Sequence, residues 1–236
     1  MPGPRTGMGA RVVIGLGVAL SILGLAVVAL LDPLYIHAAL DSAGSAGILG
    51  MTASATHAVS DRTMAELVFG PATFAFPVAP GGPRFYDAAE AAHLRDASNL
   101  LHWFLAVVGV GAVALVVTLV PRRRDPGAWH AVRGGAVALA AAFCAIGLFF
   151  AVAFDAAFTL FHEIFFPQGN WEFNVATERM VQLYPTPFWE LIAMTLAAVV
   201  LLLCAAAWFV ATLRLRSLGR TEVSRAPTAA TRAPGP

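Results

Sequence analysis

Glu90, His93 and Asp96 stand three residues apart in the string Tyr86-Asp-Ala-Ala-Glu-Ala-Ala-His-Leu-Arg-Asp-Ala-Ser-Asn-Leu100. On a helix they share one face, spread over an arc of about 120°. A carboxylate beside an imidazole orients the ring and raises its basicity, which is what a general base needs. Further along, Asp155, Thr159, His162 and Glu163 recur at i, i+4, i+7 and i+8, again one stripe of a helix. The tight turn Pro167-Gln-Gly-Asn170 follows, flanked by Phe165, Phe166, Trp171 and Phe173. An interfacial aromatic belt explains those rings but not the His-Glu-Asn polarity among them. For Glu90, His93 and Asp96, spacing alone favours a polar helix end solvated at the headgroups over a catalytic trio; the stripe and turn around His162 are the sharper signal for proton transfer.

Other combinations carry less. Ser98 and His102 stand at i, i+4, a nominal nucleophile–base pair, but nothing marks this serine as activated. Glu90, His93 and His162 are types that suit zinc, yet no His-Glu-x-x-His pair occurs and no metal is assigned. His37, His57 and His130 have no comparable company, and Cys144 and Cys204 lie inside apolar runs as small buried residues.

The elements that must position these groups are set by composition. Of 236 residues 58% are hydrophobic and only 12% charged, which marks an integral membrane protein. Four apolar stretches of spanning length read as 12–31, 100–120, 134–154 and 188–213. Each must be a helix, because lipid offers no partner to unpaired backbone groups. The first run is longer than a signal peptide's apolar core, with no clear small-x-small site after it, and reads as a retained span. The expected fold is therefore all-α, one polytopic domain over 1–220 with a partly helical cap built from outer loops 32–99 and 155–187. The stretch 221–236 reads as a disordered cytoplasmic tail.

All 15 basic residues are arginine. Arg5, Arg11, Arg122–Arg124, Arg133 and the five arginines from Arg214 to Arg232 flank the spans on one side, placing both termini in the cytoplasm. Apart from Asp125 and Glu222, the acidic residues fall to the other side. A net charge of +1 argues against a nucleic-acid partner. The span interiors hold Ser21, Thr118 and Thr195 but no deep charge, which disfavours transport. Gly15, Gly17, Gly24, Gly109, Gly111 and Gly147 read as points of close helix packing. In the first outer loop, Met64, Leu67 and Val68 suit a helix lying in the interface plane, followed by an irregular apolar segment, Pro71–Pro83.

The string from His162 through Pro167-Gln-Gly-Asn-Trp171 to Phe173, then Leu183-Tyr-Pro-Thr-Pro-Phe-Trp189, resembles the bacterial lipoprotein intramolecular transacylases, as does Glu90-x-x-His93-x-x-Asp96 before span two. The layout of spans and outer loops matches that family along nearly the whole chain. The resemblance implies a multi-pass protein of the bacterial cytoplasmic membrane with its site on the extracytoplasmic face and no cofactor. The implied substrate is a diacylglyceryl-modified lipoprotein, whose sn-2 acyl chain moves to the α-amino group of its N-terminal Cys, leaving a lyso-form product. His93 and His162 are then the essential pair. His93, oriented by Glu90 or Asp96, is the expected base; His162, backed by Glu163, stabilises the oxyanion or protonates the departing oxygen, although the sequence leaves open which histidine does which. Asn170 and backbone amides of its turn are candidate oxyanion donors. Phe165, Phe166, Trp171 and Phe173, with the apolar first loop, are expected to seat acyl chains. The alternatives are a metal-dependent membrane hydrolase and a non-enzymatic scaffold in envelope assembly.

Overall fold

A computed structural model describes residues 5–225, the last few (221–225) by backbone only. The fold is all-α, with no named strand among the described residues. Four long helices, α1 (Met8–Leu30), α5 (Ala88–Leu119), α6 (Pro126–Val152) and α9 (Thr186–Arg225), are apolar and long enough to cross a membrane. Each begins ahead of the expected span, and at α5 and α6 a polar cap rather than hydropathy sets that boundary. Asp87 and Glu90 form a reciprocal capping box at the start of α5. Asp125 caps α6, accepting from Gly127 N at 3.1 Å, with Pro126 in the first turn. The other oxygen of Asp125 accepts from Thr6 N at 2.5 Å, so the N-terminus and the α5–α6 turn share one end of the bundle. Helix α9 continues to Arg225, into the stretch read as a tail, whose remainder lies outside the described residues.

Helix α1 sits at the centre, packed against α5, α6 and α9. Its apolar window is 33% buried against 6% for α5 and for α6, which identifies it as the bundle's core helix. Lipid gives apolar helices no net drive to associate, so close van der Waals contact must hold them. A Cβ on Gly17 would lie 2.7 Å from Leu115 Cβ, and one on Gly135 would lie 2.6 Å from the Gly15 carbonyl oxygen. Any larger residue would wedge α1 away from α5 or α6. Gly24 and Gly111 make similar approaches, whereas Gly109 faces open space, so the packing role expected of it is not realised.

The cap comprises α2 (Pro33–Ser42), α3 (Ser45–Leu49), α4 (Ala53–Phe69), α7 (Phe154–Phe165) and α8 (Arg179–Leu183). Helix α4 buries Thr56, Val59, Ser60, Thr63 and Glu66 in the cap, while Met64, Leu67 and Val68 are half-buried. Thr63 Oγ1 donates to Val59 O at 2.8 Å and so accepts from the Tyr86 hydroxyl, also at 2.8 Å. Ser60 Oγ bonds the Tyr184 hydroxyl at 3.1 Å, and Glu66 accepts from Thr73 Oγ1 and Phe74 N. Segment Pro71–Pro83 is irregular, but its Phe74 and Phe76 fill the cap core beside Tyr86 and Tyr184. They are thus part of the scaffold and not a seat for acyl chains.

Candidate active site

The two histidines singled out by spacing reach the same place by different routes. His93 lies in the second turn of α5, aligned by the capping box below it. His162 lies on α7, which is separate from α6: Ala153 leaves the helical region at φ −143°, ψ 59° and the chain restarts at Phe154. The stripe Asp155–Glu163 therefore belongs to a cap helix and not to the end of span three. The imidazole centroids stand 5.9 Å apart, inclined by 26°, and each histidine is only 8% exposed. Both line a cavity of about 810 Å³ whose other walls include Met64, Leu67, Phe158, Trp171, Phe173, Tyr184 and Trp189.

His162 Nδ1 lies 2.8 Å from the Phe158 carbonyl oxygen. That oxygen only accepts, so the neutral ring carries its proton on Nδ1 and leaves the Nε2 lone pair free. Phe158, Trp171 and Phe166 surround it, with centroids at 4.1, 5.0 and 5.5 Å. Burial holds the His162 pKa below the usual 6.5, outweighing the opposing pull of the Phe158 carbonyl. The ring rests as a neutral base. His93 is boxed by Phe166 at 4.7 Å and Phe173 at 5.7 Å, and its Nδ1 is buried without a partner. A proton on one ring makes a second on the other costlier, because the two charges would share a dry cavity.

The supporting residues divide. Glu90 does not meet His93: Oε2 accepts from Asp87 N at 2.7 Å and Oε1 from Met180 N at 2.6 Å. Its carboxylate, 2% exposed, fastens α5 to α8. Burial raises the pKa of Tyr86 nearby, and that of Tyr184 likewise, so both phenols stay protonated as structural hydroxyls. Asp96 touches His93 only indirectly; its Oδ2 accepts from Asn170 Nδ2 at 2.8 Å and Gln168 Nε2 at 2.9 Å. One of the two N–H donors of Asn170 is thereby committed to Asp96. Glu163 is exposed and makes no contact with the His162 ring, being one residue along α7 and so on another face. Trp171 and Phe173 line the cavity; Phe166 braces both imidazoles from behind, and Phe165, 47% exposed, points away.

Sequence reasoning missed Phe158, Tyr184 and Trp189 as cavity walls. The aromatic run interrupted by Pro185 and Pro187 was the available signal for the last two. Ser98 Oγ lies 3.4 Å from His102 Nδ1 but donates to Leu67 O at 2.9 Å, and His102 Nδ1 and Nε2 face the Ser98 and Val68 carbonyls at 2.7 and 3.1 Å. Both tie α5 to the end of α4. Because Glu90 turns to backbone amides, the trio Glu90, His93 and His162 does not converge on one point.

The chain is thus a four-span α-helical bundle whose cap sets two buried imidazoles on one apolar cavity. The model of the family described as "Lipoprotein intramolecular transacylase Lit" matches residues 12–189, and the chain belongs to that family. Among solved structures, the membrane-integral lipoprotein intramolecular transacylase Lit from Bacillus cereus is similar at a TM-score of 0.72 and 18% identity, covering 91% of this chain and 96% of that one. Forms of that protein with a histidine changed to arginine (0.69, 16%, covering 92% and 93%) or to alanine (0.67, 18%, covering 91% and 94%) align comparably. No curated protein sequence matches.

Proposed function

We propose that this transacylase moves the sn-2 acyl chain of a lipoprotein's diacylglyceryl-Cys onto the α-amino group of that Cys, leaving an N-acylated lyso-form lipoprotein. The observation that carries this reading is two buried imidazoles opening onto one apolar cavity that no serine or cysteine lines. Amine and ester belong to one modified residue, so folding them together gives a high effective molarity without an enzyme nucleophile. Proton balance calls for two acceptors. The α-amino group has a pKa of about 8 and arrives as an ammonium with three protons. The amide product keeps one, the departing glyceryl oxygen needs one, and one leaves to solvent. His93 takes the proton bound for solvent; His162, a lone-pair base at Nε2, takes the other and delivers it to the glyceryl oxygen as the tetrahedral intermediate collapses. Before that delivery the His162 imidazolium faces the developing oxyanion and stabilises it. Trp171, Phe173, Phe158 and Trp189 seat the acyl chains.

The arginine-rich end that gathers Thr6 and Asp125 faces the cytoplasm with both termini, and the cap with its cavity faces outward from the bacterial cytoplasmic membrane. Phospholipid bilayer and diacylated lipoproteins are the partners. The test is to express the protein in a bacterium lacking N-acylation and to measure its lipoprotein N-termini by mass spectrometry. N-acylated lyso forms are expected; free amines on intact diacylglyceryl-Cys despite good expression would refute the reading.

A further inference from the structure

His162 has its tautomer set by a carbonyl oxygen on Nδ1, whereas the same atom of His93 is buried without a hydrogen-bond partner. Two buried polar atoms near His93 stand unpaired: His93 Nδ1 itself and Asn170 Oδ1. Burial lowers the His93 pKa, and the Asn170 side chain opposes it as a hydrogen-bond acceptor would, although the two orphan atoms close no bond with each other. A carboxamide cannot present both ends alike, and an ionised carboxylate only accepts. Asp96 Oδ2 holds Asn170 Nδ2 at 2.8 Å, and therefore turns the amide so that its oxygen is the end left over. Gln168 Nε2 on the same carboxylate oxygen, at 2.9 Å, fixes Asp96 from a second side. Oδ1 needs a donor and Nδ1 can be one; each orphan is what the other lacks. Leaving both unmade would carry the full desolvation penalty of buried polar groups.

We propose that Asn170, turned by Asp96, is the positioning residue that keeps the His93 proton on Nδ1 and the Nε2 lone pair toward the cavity. This rests on the reading of His93 as a proton acceptor, since a ring protonated at Nε2 would offer the substrate a donor instead. Both histidines then face the substrate in the same tautomer, one fixed by a backbone carbonyl and the other by a side-chain amide. Asn170 acts through His93 and does not itself touch the reacting atoms.

The test is a two-bond proton–nitrogen correlation spectrum of histidine-labelled protein in lipid nanodiscs, at about pH 8, where imidazoles are neutral. The His93 signals are identified by their loss in His93→Ala. The native spectrum is expected to show His93 protonated at Nδ1. In Asn170→Ala the two tautomers should mix and kcat fall about tenfold or more with little change in KM, the scale on which outer hydrogen-bond partners of histidine act. The exchanged pair Asp96→Asn with Asn170→Asp should restore the Nδ1 tautomer, and should move the acid limb of kcat to higher pH because a carboxylate now adjoins the ring. A native His93 protonated at Nε2, or an Nδ1 tautomer unchanged in Asn170→Ala, would overturn the proposal. Full transfer by His93→Ala would instead remove the base role of His93, and the spectra would still decide the tautomer question.

Discussion

The protein contains two histidine pairs, and their surroundings could hardly differ more. His37 and His57 stack face to face in the cap, centroids 4.1 Å apart and only 3° from parallel. Each gives Nε2 to a carboxylate across the α2–α4 contact, His37 to Asp61 at 2.7 Å and His57 to Asp41 at 2.8 Å. Those carboxylates are about half exposed. His93 and His162 stand farther apart, are walled by aromatic rings, and touch no carboxylate directly. A carboxylate partner satisfies an imidazolium and occupies the nitrogen that would do chemistry. An apolar wall with one carbonyl behind the ring favours the neutral form and leaves its lone pair free. The first pair is a surface staple, and the second is the pair proposed to act as bases.

The comparison breaks most visibly on substitution. His93→Ala and His162→Ala should each lower conversion of a diacylated lipopeptide by about 10²–10⁴-fold, the range of general acid–base catalysis, followed by mass spectrometry of the product. His37→Ala and His57→Ala should leave the rate within about threefold. Glu90→Ala should act on stability: it strips acceptors from the buried Asp87 and Met180 amides, at about 1–3 kcal/mol for each unsatisfied group, visible as earlier thermal unfolding in detergent. A smaller effect is set by pH. Because burial lowers the His162 pKa, its neutral form persists as pH falls through 6.5, so the acid limb of kcat/KM should lie below that value. A limb above 6.5 would contradict a desolvated base. Least of all, Asp41→Asn or Asp61→Asn should cost at most about 1 kcal/mol, as exposed pairs do.

Much of this was legible in the chain. Spans followed from hydropathy, because backbone groups in lipid admit few solutions, and α5 and α6 start ahead of their apolar runs where polar caps place them. His93 and His162 stood out by type and spacing, and the structure brings their rings into one cavity. Their partners did not follow, because helical spacing says which residues share a face but not which donor each oxygen meets. Glu90 answers two backbone amides, one of them from Met180 far along the chain. Glu163 shares a helix with His162 yet faces elsewhere. Nor does helical spacing show why α4 buries Ser60 and Thr63, whose partners are two tyrosine hydroxyls arriving from other segments. His37 and His57 each stand four residues before an aspartate, a pattern present in the sequence. The pairing crosses between helices, which no single helix can reveal.

The central claim is that two imidazoles carry an acyl chain from one part of a lipopeptide to another without lodging it on the enzyme. A crossover experiment tests it directly: the purified protein receives equal amounts of two diacylated lipopeptides, one labelled isotopically in the sn-2 chain and the other in the peptide. Mass spectrometry should find each N-acyl product carrying only the chain it arrived with. Products that combine the labelled chain with the labelled peptide would mean transfer between molecules or through an acyl-enzyme, and would contradict the account.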